Sequence, residues 1–145
     1  MDLLQALKTN SLDEALKTVT SHFKCDLGTI HVIEGDGKLH LRAHTQGIPE
    51  PILAASRVIP IGKGMAGRAA QNRAPTNLKS MQADSDPRIP IAQKADDTIG
   101  AICVPILNGD KVVGTIGIAT RGERAFTAEE ETLLTNAGRV IAGRI

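Results

Sequence analysis

The stretch Ile59-Pro-Ile-Gly-Lys-Gly-Met-Ala-Gly-Arg-Ala-Ala-Gln-Asn-Arg73 decides how the middle of this chain folds. A short apolar run meets Gly62 and Gly64, and a helical pattern of small residues follows. Glycines at this junction allow a positive φ and leave the N–H groups of the first helical turn exposed. The alanines on one helical face predict a helix lying close over a sheet. Two interpretations stay open: a strand-to-helix connection shaped by geometry alone, or a lid helix whose first turn contacts a small ligand.

Length and composition predict one folded domain. The chain has 145 residues, 41% of them hydrophobic and 23% charged, so it is long enough to bury a substantial core. Residues 1–145 are expected to form this single domain, with 1–10 as an N-terminal helical extension and 11–145 as its core. A formal charge of +1 provides no long-range field for nucleic acid or an anionic membrane, so neither partner is expected.

The rare residue types exclude further classes of site. Phe23 and Phe126 are the only aromatic residues, which disfavours a site that stacks nucleobases. Cys25 and Cys103 are the only cysteines, too few for a structural zinc site. The sequence shows no signal peptide and no apolar run that could span a bilayer, and a reducing, cytoplasmic location is expected.

The order of the elements predicts the fold class. Capping-box patterns at Ser11 and at Thr127 predict a helix near each end of the chain. Between them, alternating strands around Gly35-Asp-Gly37 and around Asn108-Gly-Asp110 predict two hairpins. The expected architecture is α+β, an antiparallel sheet of five to six strands with the terminal helices on one face. Short helices and a long loop at residues 79–97 would cover the other face.

The histidines do not form a metal site by spacing. His40 and His44 share one face of the second strand but lie about 13 Å apart, so a solvated strand face is favoured. His31 lies among apolar neighbours in the first strand. A hydrogen-bonded core histidine is the favoured interpretation for it, ahead of a ligand contact.

Five motifs taken together resemble the GAF domain family over nearly the whole chain, roughly residues 11–145. They are Gly35-Asp-Gly-Lys-Leu39, Ile61-Gly-Lys-Gly-Met-Ala-Gly67, Ile102-Cys-Val-Pro-Ile106, Gly109-Asp-Lys-Val-Val-Gly-Thr-Ile-Gly-Ile118 and Phe126-Thr-Ala-Glu-Glu130. The resemblance implies a PAS-like sheet, a ligand cavity under the front helices, and dimers formed through the terminal helices. In the last helix, Leu134, Ile141 and Ile145 are expected to be available for such an interface.

The resemblance also allows specialised members of the family to be weighed. Free methionine-(R)-sulfoxide reductases need cysteines where this chain has Ala66 and, near the long loop's end, Lys94, so that activity is not expected. The signature of cyclic-nucleotide-binding GAF domains corresponds to Thr120, Arg121, Phe126, Glu130 and Glu131; its asparagine is lost, and an Arg121–Glu130 ion pair would be structural. Bilin-binding domains attach their chromophore through a cysteine in the central loop, which has none here.

The expected function is therefore a non-catalytic, small-molecule-sensing regulatory domain, with no cofactor and no metal. A ligand-free dimerisation module is the alternative, and an enzyme of the sulfoxide reductase type is less favoured. The predicted site combines the helix start, the sheet floor and the long loop, through Lys63, Gly64, Met65, His31, Asp84 and Arg88.

Overall fold

Six antiparallel strands form one sheet with the spatial order β3-β2-β1-β6-β5-β4. The computed structural model describes residues 3–7, 11–78, 99–121 and 124–145. The strands are β1 (Leu27–Ile33), β2 (Leu39–His44), β3 (Val58–Ile59), β4 (Thr76–Leu78), β5 (Ile99–Asn108) and β6 (Lys111–Arg121). Two hairpins, β1–β2 and β5–β6, meet along β1 and β6 in the middle of the sheet. The predicted α+β class and both predicted hairpins are confirmed.

The helices at the two ends of the chain cover one face of the sheet, as predicted. They are α1 (Leu3–Ala6), α2 (Leu12–Phe23) and α5 (Ala128–Ile141), the last continued by a 3-10 turn at Ala142–Arg144. Their apolar stripes and the large side chains of the sheet form the main core, which contains Leu16, Ile30, Ile116, Leu134 and Ile141. The Thr127 hydroxyl and the Glu130 carboxylate cap each other's backbone N–H groups at the start of α5.

Two shorter helices, α3 (Glu50–Ala55) and α4 (Gly64–Asn72), lie over the opposite face. The buried face of α4, with Met65, Ala66, Ala69 and Ala70, packs against the sheet in a second and smaller core. The alanine face thus lies against the sheet, as its spacing predicts. The predicted long loop at residues 79–97 lies outside the described residues.

The apolar residues of the last helix pack mainly inside its own domain. Leu134 and Ile141 are both 0% exposed, so the prediction that they are available to a partner is wrong. They face the sheet because the helical period places them on the same side as Ala137. Ile145, beyond the helix, is 44% exposed. Within the described part of the chain, no helix is long and apolar enough to cross a membrane.

Arg124 joins the first and last long helices. Its guanidinium donates hydrogen bonds to the Glu130 carboxylate and to the Phe23 carbonyl oxygen, each with a length of 2.6 Å. The same group lies over the Phe126 ring. The predicted Arg121–Glu130 ion pair is therefore wrong. Arg121 is exposed at the end of β6, whereas Arg124, in the connection to α5, reaches both helices.

Candidate functional site

A pocket of about 130 Å³ lies between the sheet and the two front helices. Its roof comes from α3 and the residues before it, and the first turn of α4 closes one side. The central strands β1, β6 and β5 form its floor. The described lining residues are Leu27, Gly28, Thr29, His31, Ile48, Pro49, Ile52, Leu53, Ser56, Ile59, Met65, Ala66, Ala101, Ile102, Cys103, Gly117, Ile118 and Ala119.

The floor exists because β5 and β6 alternate between small and large side chains. Ala101 pairs with Ala119 and Cys103 pairs with Gly117, and all four line the pocket. Their neighbours along the two strands, Ile102, Val104, Ile116 and Ile118, belong to the main core on the opposite face, although Ile102 and Ile118 also border the pocket. Successive strand residues point to opposite faces, so this alternation leaves one face filled and the other concave.

Apart from His31, the floor residues were not among the sequence-predicted site residues. The signal for them was present in the sequence, since small and bulky residues alternate along both strands. Gly117 belongs to this series of small residues and lines the pocket floor. An added Cβ there would only touch Cys103 Sγ and Thr29 Oγ1, at 3.5 and 3.6 Å.

His31 is the most buried polar group of the pocket wall, with 2% of its surface exposed. Its Nε2 lies 2.7 Å from the carbonyl oxygen of Ser56, the residue that ends α3. A carbonyl can only accept, so Nε2 carries the proton and Nδ1 is left as an acceptor. No described residue donates a hydrogen bond to Nδ1, which is also buried. The ring is thus both a hydrogen-bonded core histidine, as the sequence favoured, and part of the pocket wall.

Burial keeps His31 neutral. Removal from water lowers the pKa of the imidazole, the Ser56 carbonyl partly opposes this by favouring the protonated ring, and nearby His40 lowers the pKa further. The unfolded chain therefore binds a proton on this histidine at a higher pH than the folded protein does. It follows that the free energy of unfolding decreases as the pH falls below the unfolded value of about 6.5.

We expect this histidine to cost up to about 1.4 kcal/mol of stability per pH unit below pH 6.5, until the folded pKa is reached. Urea unfolding at pH 7.5 and 5.5, followed by circular dichroism, measures the loss. The variant His31→Gln, which keeps a donor near the Ser56 carbonyl, should lose less stability between the two pH values. The same substitution at the exposed histidine, His44→Gln, is the control. A His31→Gln variant with the wild-type pH dependence would contradict the assignment.

The structure brings only part of the sequence-predicted site together. His31 and Met65 both line the pocket, from the floor and from α4. Lys63 is exposed and Gly64 is buried, and neither belongs to the described lining. Lys63 is the N-cap residue of α4, and its side chain is exposed to solvent. Asp84 and Arg88 lie outside the described residues.

The two thiols are poor nucleophiles. Cys103 lies on the pocket floor, where burial raises its pKa to about 12, although the Thr115 hydroxyl partly opposes this. Cys25 is half-buried beside α2, and burial raises its pKa to about 11 against the lowering effect of Arg124. Because the thiolate is the reactive form, these raised pKa values leave both cysteines protonated at neutral pH. The described residues also contain no group of three or more His, Cys, Asp or Glu residues that could hold a metal ion.

Solved structures of two kinds resemble this chain. The GAF domain of a phosphoenolpyruvate-protein phosphotransferase from Acinetobacter is 18% identical, with a TM-score of 0.76 over 98% of this chain and 87% of the other. A type II free methionine-R-sulfoxide reductase from Thermoplasma acidophilum is 22% identical, with a TM-score of 0.75 over 99% and 94% of the two chains.

A free methionine-R-sulfoxide reductase from Neisseria meningitidis, solved with its substrate, is 13% identical, with a TM-score of 0.77 over 98% and 83% of the two chains. At such identities the likeness shows the fold alone. No curated protein matches the sequence.

The sequence itself provides the family assignment. Residues 9–145 match the GAF domain family, and the described strands form an antiparallel sheet of six strands, within the expected range of five to six. This match covers nearly the whole chain and includes every strand that shapes the pocket. The chain belongs to the GAF domain family.

Proposed function

We propose that this GAF domain is a non-catalytic sensor that binds a small molecule in the pocket between α3, α4 and the sheet. The observation that carries the proposal is the pocket itself, a concave apolar site with a buried imidazole in its wall. Concave, mostly apolar sites with a few polar groups are typical of small-molecule binding. In this proposal His31 and Met65 contact the ligand.

The two thiols favour binding over catalysis. Sulfoxide reduction of the reductase type requires an accessible thiolate, and the raised pKa values of Cys25 and Cys103 keep both as thiols. Ala66, at the position where the resemblance implies a family cysteine, lies in the pocket wall and offers only a methyl group. These two free thiols also suit a reducing, cytoplasmic location.

A dimerisation module is the second candidate, and the burial of Leu134 and Ile141 weakens it. What remains on the outer side of α5 is largely polar, apart from half-buried Leu133 and Val140. Both of these pack against the domain's own core. A homodimer through the terminal helices therefore remains a prediction, and it would have to use mostly polar residues.

The sensor proposal predicts a ligand that stabilises the fold. We expect at least one compound in a library of small metabolites to raise the melting temperature, because a ligand at 100 times its Kd adds about 2.7 kcal/mol to stability. Melting is best followed by circular dichroism, since the chain contains no Trp and no Tyr.

The variant Gly117→Ala tests whether the stabilising compound occupies this pocket. The added methyl group meets its neighbours at ordinary contact distances and projects from the pocket floor. The variant should therefore fold normally but show a smaller shift. Gly143→Ala is the matched control, because a Cβ there meets nothing within 4 Å. A shift of equal size in wild type and Gly117→Ala would place the ligand elsewhere, and a library without any stabilising compound would contradict the sensor proposal.

A further inference from the structure

The chemistry of the pocket wall restricts what the sensor can bind. Most of the described lining residues are aliphatic, and the four with polar side chains are Thr29, His31, Ser56 and Cys103. None of these four is charged at neutral pH, because burial lowers the pKa of His31 and raises the pKa of Cys103 to about 12. A charged ligand group would lose its hydration in this pocket without gaining a partner of opposite charge among the described lining residues.

The volume limits the size of the ligand. The pocket holds about 130 Å³. An engineered apolar cavity of about 150 Å³ in another protein binds benzene. A single six-membered ring, or an aliphatic group of similar bulk, therefore fits the space.

His31 provides a hydrogen-bond acceptor that would orient a ligand in this largely apolar site. The Ser56 carbonyl fixes the proton on Nε2 and orients the ring, so Nδ1 keeps a buried lone pair with no donor among the described residues. A buried acceptor is satisfied only by an N–H or O–H donor. Because His31 is held by α3 and at the same time lines the pocket, a ligand at this nitrogen would contact the residue that joins floor and roof.

We propose that the ligand is a small uncharged molecule with an apolar body and one hydrogen-bond donor, which the molecule directs to Nδ1 of His31. This inference rests on the proposed sensor function, since it names the chemical class that the same pocket takes. It differs from the sequence prediction, which placed Lys63 and the helix start in the site. The exposed Lys63 side chain has no place in the described lining.

Four ring compounds of similar size test the class: phenol, benzene, benzoate and benzylammonium. Titrations of the full chain, followed by protein NMR or calorimetry, should give phenol an affinity about tenfold higher than benzene, because one buried hydrogen bond separates them. Benzoate and benzylammonium should show no saturable binding. Lys63→Ala should leave the affinity for phenol unchanged.

The variant His31→Gln separates the hydrogen bond from the shape of the pocket. Glutamine keeps a donor for the Ser56 carbonyl but removes the acceptor at the Nδ1 position, so phenol and benzene should bind it with equal affinity. If the substitution unfolds the protein, Gly117→Ala replaces it and should weaken both neutral probes at least about fivefold.

The outcomes separate the two proposals. Tighter binding of benzoate or benzylammonium than of phenol, or equal binding of phenol and benzene to the wild type, overturns the ligand class. If no ring compound binds but a metabolite still stabilises the wild type more than Gly117→Ala, the class is wrong and the sensor function stands. If neither the ring compounds nor any metabolite binds, both proposals fail.

Discussion

Replacing Gly114 by alanine should abolish folding or lower the free energy of unfolding by about 4 kcal/mol or more, one of the largest effects of any single methyl group. Gly114 lies in β6 opposite Val32 of β1, at the centre of the sheet. A Cβ at this position would overlap the carbonyl oxygen of His31. That oxygen belongs to the backbone of a central strand, so it cannot move aside as a flexible side chain would.

Gly117→Ala, three residues further along the same strand, is the matched control. Its methyl group would meet only side-chain atoms at 3.5 Å or more. A glycine in a strand interior costs roughly 0.5–1 kcal/mol relative to alanine, so this variant should be neutral or slightly more stable. Urea unfolding followed by circular dichroism compares the two. Similar stabilities for Gly114→Ala and Gly117→Ala would show that the pairing of β1 and β6 is wrong.

Gly67→Ala should destabilise the protein by about 2–4 kcal/mol, although alanine is the better helix former. The added Cβ would lie 2.6 Å from the Pro60 carbonyl oxygen and 3.0 Å from the Gly62 nitrogen. The Gly67 carbonyl also accepts a hydrogen bond from the Gly62 N–H over 2.9 Å. The loop before α4 therefore folds back against the end of its first turn, and only a residue without a side chain allows that contact.

The sign of the change makes this test decisive. Replacing an ordinary helical glycine by alanine raises the free energy of unfolding by up to about 1 kcal/mol. A decrease for Gly67→Ala therefore means steric conflict with the loop. Gly143→Ala, where a Cβ meets nothing within 4 Å, controls for the general effect of the substitution. A gain in stability for Gly67→Ala, measured by urea unfolding, would refute the described contact between loop and helix.

Patterns carried by many residues allowed most of the fold to be predicted. Capping residues such as Ser11 and Thr127, and the turn residues between alternating strands, are local signals, and each predicted element lies where they placed it. The buried face of the last helix follows from its period as well. What the period cannot decide is whether an apolar face meets the domain's own sheet or a partner, and this is why Leu134 and Ile141 were misassigned.

The site was harder to predict because its geometry depends on pairing between strands distant in sequence. The concave floor requires that Cys103 lie opposite Gly117 and Ala101 opposite Ala119, which no single strand reveals. The orphan acceptor of His31 depends on Ser56, 25 residues away, taking the other ring nitrogen. The sequence favoured Lys63 and Gly64 at the start of α4, yet the pocket contacts α4 through the apolar residues Met65 and Ala66.

The two edge strands of the described sheet influence whether copies of this domain pair through their strands at high concentration. Among the described residues, β3 has two residues and β4 has three, and a proline adjoins each of them: Pro60 directly after β3 and Pro75 directly before β4. Because proline lacks an N–H group and short edges expose few unpaired backbone groups, neither strand is a good template for a neighbouring chain. Amyloid-like stacking and strand exchange are thus disfavoured by the same sequence that builds the pocket.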